Sequence, residues 1–313
     1  MRKRLLSLLL VLACGLTLAV VPLVAAEPDP VQPTASVTEP TPTTDPEPSP
    51  EPSSEPSPEP TPEPSPEPSP VPTPSGPWYQ AALDFACDHR ILLGDPSGNM
   101  MPNDNATRAQ MAAMLVRVFG CTAGKDIAHL TDVSTTSWYY SELSTAAQMN
   151  IFNGYGDGTI GPNRSITRQE AMIVIARAFA VPDGTAADIQ AFRDASSVGS
   201  WAVAKVGGLV KAGIVNGDNG SLHPTASITR AEIAQMLYNL GLQFCSDAAA
   251  LPASGRVIYT GAAPLTADAF TGTLYLGGPA GRDLGGMNIT GTLVVRTDPN
   301  GTVTVGGTVD TLA

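Results

Sequence analysis

The sequence predicts a mainly α-helical fold of three helix–loop–helix repeats, preceded by an extended acidic segment and followed by a small β-rich end. Three observations lead there. Trp78, Trp138 and Trp201 stand 60 and 63 residues apart, and Arg108, Arg168 and Arg230 stand 60 and 62 apart. Residues 27–77 hold 20 of the 30 prolines and 10 of the 29 acidic residues, with no Lys or Arg. From Arg256 onward the composition shifts to Gly, Thr, Val and Leu. Internal periods of this length mark units that bury their apolar faces only against one another.

In chain order, Met1-Arg2-Lys3-Arg4 and the apolar run from Leu5 read as a secretory signal over residues 1–26. Val24-Ala25-Ala26 suits cleavage before Glu27. The same run is long enough to remain as a membrane anchor, and Val11-Leu12-Ala13-Cys14 is a loose lipidation pattern. Membrane contact is expected only if that segment is retained. Residues 27–76, an acidic Pro/Ser/Thr-rich stretch, cannot bury a core and are expected to be disordered and extended. Beyond them, residues 78–313 carry 19 acidic and 14 basic side chains. That balance gives no support to a nucleic-acid partner.

The repeats are assigned to residues 77–124, 125–186 and 187–246. In each, apolar residues five and eight places after the Trp (Leu83 and Ala86, Leu143 and Ala146, Val206 and Leu209) lie on one helix face. Position +12 ends that helix. Gly213 suits a left-handed cap, Asn150 is tolerable and Arg90 fits poorly. A turn-rich loop follows, closing at Pro102, Pro162 or Pro224. Asp95, Ser97 and Asn99 have the opening spacing of a calcium loop, but Ala106 stands where its bidentate Glu is needed, so no metal is expected.

The second helix opens at Thr107-Arg108-Ala109-Gln110, Thr167-Arg168-Gln169-Glu170 and Thr229-Arg230-Ala231-Glu232. Thr107, Thr167 and Thr229 with Gln110, Glu170 and Glu232 form capping boxes. Ile166 and Ile228 precede two of them as hydrophobic staples, with Ala106 in the first. The Arg is out of place on local grounds, because the helix dipole favours anions there by ~0.3–1 kcal/mol. Three copies of an unfavourable charge point to an anionic ligand at a helix start whose N–H groups already suit anions. The competing reading is a surface ion pair worth ~0–1 kcal/mol.

These residues resemble three tandem S-layer homology domains. The resemblance rests on Asp132-Val133 and Phe192-Arg193-Asp194 ahead of the Trp, on the Asn-Ile or Gly-Ile helix end with its Gly-rich turn and Pro, and on Ile-Thr-Arg-x-Glu at 166–170 and 228–232. It covers a little over half of the chain. It implies a pseudo-threefold helical bundle that binds the secondary cell-wall polysaccharide on peptidoglycan, often pyruvylated on N-acetylmannosamine, and so anchors an exported protein to the wall. It further implies that Arg108, Arg168 and Arg230 meet the ketal carboxylate. Trp78, Trp138 and Trp201 would line or pack the grooves, and Asp132 and Asp194 would bind sugar hydroxyls or fix the loops. The first copy departs from the pattern: Gln110 replaces Glu, Ala106 replaces Ile, and no Phe-x-Asp block precedes Trp78. Phe244 and Asp247 are candidates to supply that block.

Residues 247–313 show strand-like runs at Val257–Tyr259, Thr273–Leu276, Thr292–Val295 and Thr302–Val305. Thr-Gly-Thr-Leu recurs nineteen residues apart, at 271–274 and 290–293, and Gly307-Thr308-Val309 follows. This spacing predicts rungs of a partial β-solenoid, with a hairpin at 298–301 as the alternative. A strand pattern still running at Ala313 leaves an edge for a partner or for further chain. His89, His129 and His223 share no catalytic motif. The expectation is therefore a secreted, wall-bound protein with no catalytic residues and no cofactor; the alternatives are a membrane-to-wall tether through a retained N-terminus and a wall-associated hydrolase with an unrecognised C-terminal site. Cys87, Cys121 and Cys245 show no C-x-x-C spacing. One disulfide, between Cys87 and Cys121, remains open.

Overall fold

The computed structural model describes residues 76–95, 97–299 and 302–313. The expected signal and nearly all of the Pro-rich segment lie outside them. The described residues form seven α-helices: α1 (Gln80–Asp88), α2 (Arg108–Phe119), α3 (Tyr140–Gln148), α4 (Arg168–Ala178), α5 (Ala186–Ile189), α6 (Val203–Lys211) and α7 (Arg230–Asn239). None of these helices is long and apolar enough to cross a membrane.

The helices exchange partners between repeats. α3 packs against α2, α6 against α4, and α1 against α7, so each first helix rests on the second helix of another repeat. A backbone ring closes the arrangement. The Ile166 N–H donates to the Ala106 carbonyl at 3.0 Å, Ile228 N–H to Ile166 at 3.0 Å, and Ala106 N–H to Ile228 at 2.9 Å. The three side chains are fully buried. The residues read as staples thus line the pseudo-threefold axis, where a small Ala is accepted in one of three places.

The expected caps of the first helices all adopt positive φ: Arg90 at 54°, Asn150 at 57° and Gly213 at 70°. A side chain in this region costs ~1–2 kcal/mol, less what Gly forfeits in chain entropy. Arg90→Gly is therefore expected to raise the unfolding free energy by ~0.5 kcal/mol, measured as a higher denaturant midpoint with unchanged slope.

The C-terminal part is built from parallel strands. β1 (Leu242–Cys245), β2 (Ser254–Tyr259), β3 (Ala269–Leu276), β5 (Asn288–Val295) and β7 (Val309–Leu312) form one sheet in that order. β4 (Arg282–Asp283) and β6 (Val303–Thr304) form a second. This is a two-sided solenoid. All strand pairs among the described residues are parallel, so the hairpin alternative does not hold. Thr271-Gly272-Thr273-Leu274 lies in register on Thr290-Gly291-Thr292-Leu293. The motif needs its glycine: Gly255, Gly272 and Gly291 stack at φ 117°, 121° and 130°, and a Cβ on Gly272 or Gly291 would strike the carbonyl of the glycine before it in the stack. The last rung differs from expectation. Thr292 pairs with Thr311, so it aligns through Asp310-Thr311-Leu312 and not through Gly307-Thr308-Val309. Asp310 accepts the Gly291 N–H at 2.9 Å.

Strand alternation explains how the solenoid joins the helices. Val257, Leu274 and Leu293 point into the solenoid, with Leu265, Leu284 and Met287. Their neighbours Ile258, Tyr275 and Val294 form a column on the opposite face and belong to the helical core. The same face meets the ends of α2, α4 and α7. The Gly278 N–H donates to the Phe119 carbonyl at 2.6 Å, and the Tyr275 hydroxyl to Phe179 at 3.2 Å. Arg296 donates to the carbonyls of Ala178 and Arg177, and Arg256 to Leu240. Helix-end carbonyls that lack intrahelical partners are thus satisfied by the β-rich segment. Cys87, Cys121 and Cys245 are free thiols. Burial pushes the Cys121 thiol up to about 11.

Candidate functional site

The three Thr-Arg-x-Gln/Glu tetrads begin α2, α4 and α7, and each is a complete capping box. Gln110, Glu170 and Glu232 accept the Thr N–H at 3.0, 2.9 and 2.8 Å, and the Thr hydroxyls accept the third-position N–H groups. The remaining donors are also spent. The N–H groups of Arg108, Arg168 and Arg230 donate to the carbonyls of Arg164, Ala226 and Asp104. Those of Ala109, Gln169 and Ala231 donate to Pro162, Pro224 and Pro102. The loop prolines read as turn markers are therefore acceptors for a neighbouring helix. An anion held on the helix's own N–H groups, as the sequence suggested, has no donors left to use. Only the guanidinium groups can serve one.

Those guanidinium groups are buried: Arg108, Arg168 and Arg230 are 4, 7 and 5% exposed. The surface ion pair reading does not hold. Each Nε reaches across to a loop carbonyl of another repeat, Ile160 at 2.7 Å, Leu222 at 2.9 Å and Met100 at 2.8 Å respectively. Arg108 also donates to the Asn153 carbonyl, and Arg230 to that of Leu93. The acidic capping residues have a second role: Glu232 pairs with Arg168 at 2.6 Å and Glu170 with Arg108 at 3.5 Å. Arg230 meets the repeat that carries Gln110 and has no ion pair among the described residues. Burial pushes the pKa of both Arg108 and Arg230 down, partly opposed at Arg108 by Tyr155 and Glu170 and at Arg230 by Asp104.

Around these cations the repeats leave grooves. One cavity of about 650 Å³ is walled by Trp78 of the first repeat, Arg168 of the second, and Asp218, His223, Glu232, Gln235 and Asn239 of the third. A second, of about 360 Å³, gathers Trp138, Arg230 and, from the first repeat, Leu93, Asp95, Gln110 and Arg117. Both fall in the size range of small-ligand pockets, roughly 300–1,000 Å³. The third tetrad-lined position is covered. The Tyr155 ring lies over the Arg108 guanidinium at 4.3 Å, Arg164 stacks on the same ring at 4.8 Å, and the Tyr155 hydroxyl donates to Glu170 at 3.2 Å. The matching loop positions in the other repeats are Asp95 and Asp218, too short to reach over in this way.

Trp78, Trp138 and Trp201 are 65, 59 and 61% exposed. The packing alternative fails for all three, because the next residue takes that place: Tyr139 and Ala202 are buried and Tyr79 is half-buried. Trp201 lines neither cavity. Asp132 accepts the N–H groups of Ile160 and Gly161, and Asp194 those of Leu222 and His223. Both carboxylates hold the loops whose carbonyls receive Arg108 and Arg168. Burial works to raise the Asp194 pKa, and its two N–H donors overcome that and hold it below the ordinary carboxylate value. Among the described residues the first repeat has no such brace. Asp247, a candidate for it, accepts the Ala249 N–H within its own turn, and Phe244 stacks on His89 beside Phe85.

Sequence reasoning missed Arg117, Tyr155, Gln235 and Asn239. Only the cavity walls reveal the first, third and fourth. Tyr155 was visible as the one loop where an aromatic replaces Asp.

The S-layer homology domain model matches residues 73–112, 129–172 and 191–234. The chain is similar to the surface-layer 125 kDa protein of Lysinibacillus sphaericus, at 31% identity over 158 residues, 49% of this chain and 13% of that protein. It is also similar to the cellulosome-anchoring protein of Acetivibrio thermocellus, 31% identical over 47% of this chain and 34% of the relative. The amylopullulanase of Thermoanaerobacterium thermosulfurigenes is 29% identical over 52% and 9%. The matches span about a third of the second relative's length and far less of the others.

Proposed function

Starting from the three tandem S-layer homology domains that this chain carries, we propose that it anchors an exported protein to the bacterial cell wall non-covalently, by binding the secondary cell-wall polysaccharide attached to peptidoglycan. The observation that carries this reading is the pair of open grooves, each walled by an exposed Trp and a buried Arg from different repeats. An exposed indole offers a flat apolar face to a sugar ring, and a buried guanidinium in a cavity is a strong donor to hydroxyls or acids. The relatives' names, a surface-layer protein and a cellulosome-anchoring protein, support a cell-surface role. The polymer is taken to be pyruvylated, as the family resemblance implies. In this reading the chain is a secreted anchor without catalytic residues of its own, and its β-rich part serves as a structural base for the grooves.

Co-sedimentation with purified wall sacculi tests the proposal. Trp78→Ala and Trp138→Ala are each expected to weaken binding roughly tenfold, about 1.4 kcal/mol, while Trp201→Ala has little effect. Rising salt weakens the interaction, because part-exposed charge contacts are screened. Unchanged sedimentation by the Trp78→Ala, Trp138→Ala double variant would remove the grooves from the mechanism.

A further inference from the structure

The two open grooves carry opposite charge, and one capping residue supplies part of the difference. In the Trp78 groove, Glu232 uses Oε2 to hold the Thr229 N–H and turns Oε1 to the Arg168 guanidinium, Nη1, at 2.6 Å. That cation is already answered. In the Trp138 groove, Gln110 uses its only oxygen, Oε1, on the Thr107 N–H at 3.0 Å. What it has left is Nε2, a donor. Arg230, 95% buried, donates through Nε to Met100 and through Nη2 to Leu93, and its Nη1 has no hydrogen-bond partner among the described residues. Two donors with no partner among the described residues, Arg230 Nη1 and Gln110 Nε2, thus belong to residues that wall one cavity.

The remaining charges follow the same division. The Trp138 groove carries Arg230 and Arg117 against Asp95, and the Asp95 carboxylate is occupied by the N–H groups of Ser97 and Asn99 and by the Asn99 amide. Asp104 lies close enough to favour the Arg230 cation, whereas Arg117 opposes it. The Trp78 groove carries Arg168 against Glu232 and Asp218, with His223. An acid entering there would have to displace the Glu232 carboxylate from its 2.6 Å pair or sit beside it, and like charges at such range discriminate strongly.

We infer that the two grooves divide the glycan by charge: the Gln110-lined groove takes the sugar that carries a carboxylate, and the Glu232-lined groove takes a neutral sugar. This rests on the wall-glycan reading above and adds to it a specificity-determining residue, Gln110.

The two indoles make the test groove-resolved. In the full chain, the Nε1–H signals of Trp138 and Trp78 are followed by NMR during titration with an N-acetylmannosaminide bearing a pyruvate ketal, and with the same sugar lacking the ketal. The ketal sugar is expected to shift the Trp138 signal at concentrations at least tenfold below those that move Trp78, and the ketal-free sugar to show no such preference. Gln110→Glu keeps the capping box used by the other two repeats and is expected to abolish the Trp138 preference. Glu232→Gln is expected to bring the ketal response to Trp78. Equal responses in both grooves, a preference for Trp78, or indifference to Gln110→Glu would overturn the inference. If neither sugar moves either indole while the chain still sediments with wall sacculi, the division by charge falls and the wall-binding reading stands. If sedimentation fails too, both fall.

Discussion

Arg168→Ala is expected to lower the unfolding free energy by ~2–4 kcal/mol, well beyond the ~0–1 kcal/mol of an exposed ion pair. The change removes a guanidinium that holds the Leu222 carbonyl from inside the fold and leaves the Glu232 carboxylate without its cation. Breaking a buried pair from one side usually costs ~3–5 kcal/mol. The lower figure applies here because the Glu232 side chain is 29% exposed and water takes up part of the loss. Glu232→Gln should cost much less, since Gln completes the same capping box at position 110. Urea unfolding of both variants checks the ranking. A loss under 1 kcal/mol for Arg168→Ala would mean that the inter-repeat hydrogen bonds contribute little.

The second large effect concerns the β-rich segment. Ending the chain after residue 250 is expected to abolish cooperative folding of the helical repeats, not merely to trim an appendage. The truncation uncovers the surface filled by Ile258, Tyr275 and Val294. It also strips the partners from carbonyls at the ends of α2, α4 and α7. Losing an aromatic side chain as large as Tyr275 from a core alone costs ~3–5 kcal/mol, and each helix-end carbonyl that exchanges its protein donor for water loses a further ~0.5–1.5 kcal/mol. Together these are comparable to the ~5–15 kcal/mol that holds a typical domain. Circular dichroism should show helix without a sharp melt, and dye binding should report exposed apolar surface. A truncated chain with a cooperative melt near that of the full chain would show that the helices stand alone.

What the sequence made legible was local. The repeat period, the helix faces, the capping boxes and the Thr-Gly-Thr-Leu rung are written within spans of a few residues, where spacing alone determines which side chains share a face. The same reading marked the Arg of each tetrad as misplaced on local grounds. It could not see why, because the partners of Arg108, Arg168 and Arg230 lie 45 to 137 residues away. Asp132 and Asp194 were read with two roles open, and their partners 28 or 29 residues onward are backbone groups that carry no sequence signature. β1 was missed for a related reason: four residues at the end of the third repeat become a strand only because β2 lies beside them. The exposed Trp residues reversed a sound general expectation, since an indole opening an apolar stripe is normally core. Tyr79, Tyr139 and Ala202 stand one place later and face inward instead.

The backbone ring of Ala106, Ile166 and Ile228 also has a counting consequence. Each of the three donates once and accepts once, and the third bond returns to the first residue. An open stack of helical repeats can lengthen by one unit at either end, because each unit needs only its neighbours. A closed ring offers no such place: removing one unit breaks it, and a fourth unit would find every N–H of the ring already donated. Duplication of a single repeat is therefore a dead end for this architecture, and any enlargement of the module has to proceed in whole multiples of three.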